Sequence, residues 1–95
     1  MPVGHIVEIP GMSTDVYDQV MTKLNWGPGN LPEGFISHYC CETPNGIYIF
    51  DTWETEDDWR RFAENELGAA MAEVTDGQAS PPEPTFYRIH REEHR

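Results

Sequence analysis

The four residues Thr43-Pro44-Asn45-Gly46 stand between two apolar runs, 35–42 and 47–53, and no other stretch limits the fold as tightly. Pro44 suits the second position of a type I turn and Gly46 the left-handed position that follows, so the spacing predicts a hairpin with a one-residue bulge. In that register Thr43 faces Ile47, Cys41 faces Ile49, Tyr39 faces Asp51 and Ser37 faces Trp53. Strand alternation then places Ile36, His38, Cys40, Tyr48, Phe50 and Thr52 on one face, with Tyr39, Cys41, Ile49, Asp51 and Trp53 on the other. Both faces are largely apolar, and both are expected to be covered.

The flanking chain supplies the rest of a single domain, 1–95. Residues 3–9 (VGHIVEI) read as a strand ended by Pro10-Gly11. Ser13 or Thr14 caps a helix whose stripe is Val16, Tyr17, Val20, Met21 and Leu24. Residues 26–34, with three glycines and two prolines, form a loop. Thr55 and Asp58 mark a second helix start, and Trp59, Phe62, Ala63, Leu67, Ala70, Met71 and Val74 its apolar face, with a kink or break expected at Gly68. After a proline-rich loop (76–84), residues 85–90 read as a last strand and 91–95 as a polar tail. The order β-α-β-β-α-β predicts an α+β, ferredoxin-like fold, a four-stranded antiparallel sheet with both helices on one face. Its open face is expected to be apolar. A domain of 95 residues buries only about 60 to 65% of its unfolded surface. A second copy is therefore the expected cover, giving a homodimer with a barrel between two sheets.

Seventeen Asp and Glu oppose six Lys and Arg, for a formal charge of -11. That field repels phosphate backbones and anionic lipid heads, so nucleic-acid and membrane-surface partners are disfavoured. No apolar run reaches the roughly 18 residues of a membrane span, and the basic-then-apolar pattern of a signal peptide is missing, so a cytoplasmic location is expected. The two cysteines are adjacent, which on a strand points them to opposite faces and keeps them from pairing with each other.

The stretches IPGMSTDVYDQVM, LPEGFISHYC, PNGIYIFDTWETEDDWRRF and PPEPTFYRIH resemble the small dimeric α/β-barrel proteins related to antibiotic-biosynthesis monooxygenases. The resemblance spans nearly the whole chain and is carried best by the strand-to-helix junction Trp53-Glu54-Thr55. It implies a dimeric α/β barrel. The chemistry it implies ranges over cofactor-independent monooxygenation, haem degradation and polyketide cyclisation, and some members have no demonstrated activity. Haem-degrading members carry a Trp and a His on the second helix, where this chain has Phe62 and Ala72. A plant cyclase of the fold has a first-strand His matched by His5, but its second-helix His has no counterpart here.

His38 is the first candidate base, since an imidazole titrates near neutrality and mid-strand backbone holds it rigidly; a core or interface histidine is the competing reading. His5 lies on a neighbouring strand and is a second candidate. Asp51 is a carboxylate within an apolar strand, placed either to orient a histidine or to hydrogen-bond Tyr39. His38, Cys40 and His5 lack the fourth ligand and paired spacing of a zinc motif, and Cys41 lacks the electropositive setting of a reactive thiolate. Trp53, Tyr17, Trp59, Phe62 and Trp26 are candidates for holding a planar ligand, or are plain core. The reading is a homodimeric enzyme that uses no metal or organic cofactor. In it a histidine takes a proton from a hydrophobic aromatic or polyketide-type molecule, and oxygenation or cyclisation follows. A non-catalytic ligand-binding or structural dimer is the alternative.

Overall fold

A computed structural model describes residues 2–95. Its elements run β1 (Val3–Pro10), α1 (Thr14–Leu24), β2 (Phe35–Thr43), β3 (Gly46–Trp53), α2 (Glu56–Phe62), a π-helical turn (Ala63–Leu67), α3 (Gly68–Thr75) and β4 (Thr85–Arg88). The strands form one antiparallel sheet in the order β2-β3-β1-β4, the ferredoxin-like arrangement. Each helix begins where its capping residue dictates. Ser13 accepts from the Val16 amide at 3.1 Å, and Thr55 accepts from the Asp58 amide at 3.1 Å while its own hydroxyl donates to the Asp58 carboxylate. Asn25, left-handed at φ 54°, ends α1.

The hairpin register differs from the sequence expectation by one residue. Thr43 pairs with Gly46, so only Pro44 and Asn45 lie in the loop, and the irregularity sits at the far end, between Phe35 and Ser37. The reason is the close approach of β1. A Cβ on Gly46 would lie 2.3 Å from the Ile9 carbonyl oxygen and 2.8 Å from the Gly11 nitrogen, so this glycine serves backbone packing and not a left-handed bulge. The shift re-sorts both faces, because one residue of slip exchanges the sides of a strand. His38 now pairs with Asp51, Cys40 with Ile49 and Tyr39 with Phe50. Asp51 was expected opposite Tyr39, away from His38; it shares His38's face instead.

That face meets the helices. Trp53, Trp59, Phe62 and Ala63 form one buried cluster, joined by Val3, Phe35 and Phe86; Val20, Ala70 and Met71 form a second between α1 and α3. Trp53 and Ile47 are fully buried, and truncating a Trp so placed costs about 3–5 kcal/mol. The break expected at Gly68 is a wide turn, in which the Gly68 amide reaches back to the Ala63 carbonyl. Trp59, Ala63, Leu67 and Met71 recur every four residues, which drifts by about 40° per step on a 3.6-residue helix, and one wide turn absorbs the drift. β4 is two residues shorter than expected; beyond it the Ile89 amide still donates to the Pro2 carbonyl at 3.1 Å. Among the described residues, no helix is long and apolar enough to cross a membrane.

Candidate functional site

Three strands and one helix converge on Asp51. β3 carries this carboxylate and, two residues on along the same face, Trp53, whose indole Nε1 donates to Asp51 Oδ2 at 3.2 Å. β2 sets His38 directly across the ladder, with Nδ1 2.5 Å from Asp51 Oδ1. β1 sets His5 across from Asp51 on the other side, with Nδ1 3.7 Å from Oδ2. From α1, Tyr17 brings its hydroxyl to Nε2 of His38. An ionised Asp51 accepts from Nδ1–H, which leaves Nε2 as an acceptor for the Tyr17 O–H. This tautomer follows from the hydrogen-bond network.

The two histidines have different surroundings. His38 keeps 16% of its side chain exposed, and the Trp26 ring stands edge-on to it at 5.4 Å. His5 is only 3% exposed, between Trp59 at 4.8 Å and Phe86 at 5.6 Å, and among the described residues neither of its ring nitrogens has a hydrogen-bond partner. Burial lowers the His5 pKa against the attraction of Asp51, so the ring is held neutral. Burial likewise raises the Tyr17 phenol well above its ordinary value, with Cys40, Asp51 and Asp18 adding to the effect. The Cys40 thiol is also raised, by burial first and then by Cys41, which favours an inert thiol.

These groups open on a cavity of about 60 Å³ between helices and sheet. His5, His38, Asp51, Tyr17, Trp26, Trp59 and Phe62 all line it. Trp53 is not on that wall: it is fully buried beneath, where it holds the carboxylate. The remaining lining is apolar, and includes Met12, Met21 and Met71. Among the described residues no three His, Cys, Asp or Glu side chains are grouped to hold a metal, so His38, Cys40 and His5 do not assemble into one.

Sequence reasoning set Tyr17 among ring-holding aromatics and missed its bond to His38. The signal was its place on the Val16–Leu24 stripe, which must face the sheet; the partner could be named only with the register. The arrangement can do one kind of chemistry directly. A carboxylate that fixes one imidazole nitrogen makes the other a better base, and an apolar wall keeps water from competing for the proton. No protein-family model matches the chain, and no curated protein matches it.

Proposed function

We propose that the protein is a proton-abstracting enzyme acting on a compact, uncharged aromatic or polyketide-type molecule, with His38 as the base and Asp51 as the residue that orients it. The observation carrying this reading is the Asp51–His38 pair, 2.5 Å apart, set in a cavity whose other walls are almost entirely apolar. Two features favour an uncharged substrate. Among the described residues no Lys or Arg lines the cavity, and Asp51 is there already, so a carboxylate or phosphate would enter uncompensated. His5, with both nitrogens unpartnered among the described residues, offers a hydrogen bond to a second polar atom of the substrate.

Size sets a condition. A cavity that takes benzene measures roughly 150 Å³, and the one here is about 60 Å³. An aromatic substrate must therefore displace side chains. Met12, Met21 and Met71 are unbranched and repack at low cost, which supports an opening of the wall they share.

Proton removal from an activated methylene leaves a carbanion. With dioxygen as co-reactant the methylene becomes a carbonyl and one molecule of water is released, the carbon supplying the electrons. Without it, the carbanion adds to a carbonyl of the same chain and closes a ring. Oxygen uptake and product formation with anthrone and with a poly-β-ketone distinguish the two routes. His38→Ala should slow either by about 100-fold or more; equal rates in the two proteins contradict the role of His38.

The second reading is a non-catalytic binding dimer, and the exposed sheet face supports its dimeric part. Tyr39 and Tyr87 are 56% and 60% exposed there, beside Phe50 and Ile6, and a second copy of the sheet is the proposed cover of a dimeric α/β barrel. Light scattering on the purified protein should give twice the mass of the 10.9 kDa chain, and Tyr39→Glu should halve it.

A further inference from the structure

We infer that the Tyr17 hydroxyl is the group that exchanges the proton with the substrate, with His38 and Asp51 forming the relay behind it. This inference rests on the proton-abstraction reading above and changes which atom performs the abstraction.

Both nitrogens of His38 are occupied. Nδ1 is held by Asp51 Oδ1 at 2.5 Å and Nε2 by the Tyr17 hydroxyl, so His38 has no lone pair free to meet a molecule in the cavity. Tyr17 does have one. Its oxygen donates its single proton to Nε2, and with the Cys40 thiol also within hydrogen-bond reach of it, one acceptor site is left for the cavity. The residue lies on the cavity wall, its ring plane within 4° of the imidazole plane, which fixes the hydroxyl on the line from Asp51 through His38. α1 holds it there through the neighbouring Val20, which is buried against Met71 and Ala70 of α3.

One concerted step conserves all atoms and charge. The substrate C–H proton moves to the Tyr17 oxygen as the Tyr17 proton moves to His38 Nε2. The C–H electron pair stays on the substrate carbon, and the imidazolium pairs with Asp51. Tyr17 is a neutral phenol before and after. Burial, which disfavours a free phenolate at this site, is compatible with a concerted transfer and opposes a stepwise one. Where the proton now on the Tyr17 oxygen exchanges with water before the step reverses, reversal returns a solvent hydrogen to carbon, so the relay exchanges hydrogen even where no further reaction follows.

That exchange supplies a test that needs no knowledge of the natural substrate. The probe is 2-indanone, a neutral aromatic carbon acid, and the readout is deuterium incorporation in heavy water followed by NMR. Wild type should exceed buffer. Tyr17→Phe, which keeps the ring and its packing, should lose about 100-fold or more, as should His38→Ala, and the double variant should be no worse than either single one. Site-specific 3-fluorotyrosine at position 17, a more acidic phenol of the same shape, should shift the pH–rate profile, which a purely structural tyrosine would not do. If Tyr17→Phe matches or exceeds wild type while His38→Ala is inactive, His38 acts directly and the relay is wrong, with the proposed function intact. If wild type matches buffer, both are wrong.

Discussion

His5→Leu should make this protein more stable, although it removes a buried residue from the candidate site. Leucine is close to histidine in volume and carries no polar atom. In wild type both imidazole nitrogens are buried without partners among the described residues, and an unsatisfied group of that kind costs about 1–3 kcal/mol. Against this stand the ring contacts with Trp59 and Phe86, worth about 0.5–1.5 kcal/mol. With two such groups the balance at pH 7.5 is a gain of about 1 kcal/mol or more, or a rise of at least about 4–8 °C in Tm for a domain of this size. The pH dependence follows from the depressed pKa of His5. Below about pH 6.5 the unfolded chain takes up a proton at this residue that the folded chain refuses. Wild-type stability therefore falls with decreasing pH, by about 1.4 kcal/mol per pH unit, until the folded-state pKa is passed. The groups facing His5 are Asp51 from β3 and His38 from β2, with apolar rings from α2 and β4. Asp51 and His38 are common to both proteins, so the difference between them isolates His5. Urea denaturation at pH 7.5 and 5.5 measures it, and the variant's advantage should widen at the lower pH. A variant that is less stable at pH 7.5, or an advantage that does not change with pH, refutes the reasoning. The same numbers say what wild type gives up for keeping a neutral imidazole in its cavity, as functional sites commonly do.

Three other substitutions probe the frame around the site. Gly46→Ala places a Cβ against the Ile9 and Gly11 backbones, which cannot swing aside, and should cost about 1–3 kcal/mol by denaturant titration. Thr55→Ala removes the hydroxyl that caps α2 and should cost about 1 kcal/mol, with the second helical element fraying first in amide hydrogen exchange. Asp51→Ala leaves Trp53 Nε1 as a buried donor with no acceptor, at about 1–3 kcal/mol, and removes the partner of the part-buried His38 Nδ1, so Tm should fall by at least about 4–8 °C.

The element order was legible because each boundary carries a local chemical sign: Pro10-Gly11 at the end of β1, Ser13 and Thr55 at the helix starts, glycine and proline between Trp26 and Gly34. Those signs act within a few residues, and they place the ferredoxin-like sheet. The register of β2 on β3 was not legible. Pro44-Asn45-Gly46 is compatible with a bulged and a two-residue loop, and the choice falls to Gly46 meeting Ile9 on β1, a contact between distant parts of the chain. That single residue of slip decided the site. Residue type alone singled out His38, His5 and Asp51, and strand alternation in the wrong register separated His38 from Asp51. The hydrogen bond from Tyr17 depends on how α1 is turned over the sheet, which only the packed core fixes.

The claim on which all of this depends is that Trp53, Asp51, His38 and Tyr17 form one hydrogen-bonded chain under the helices. Proton NMR of the imidazole region, with 15N-histidine labelling and NOE contacts, tests it most directly. A chain of this kind gives a downfield His38 Nδ1 proton that exchanges slowly with water, with NOEs from the ring to the Trp53 indole proton and to the Tyr17 and Trp26 rings. A rapidly exchanging His38 ring with NOEs to Tyr39 or Phe50 would put it on the opposite face of the sheet and contradict the account.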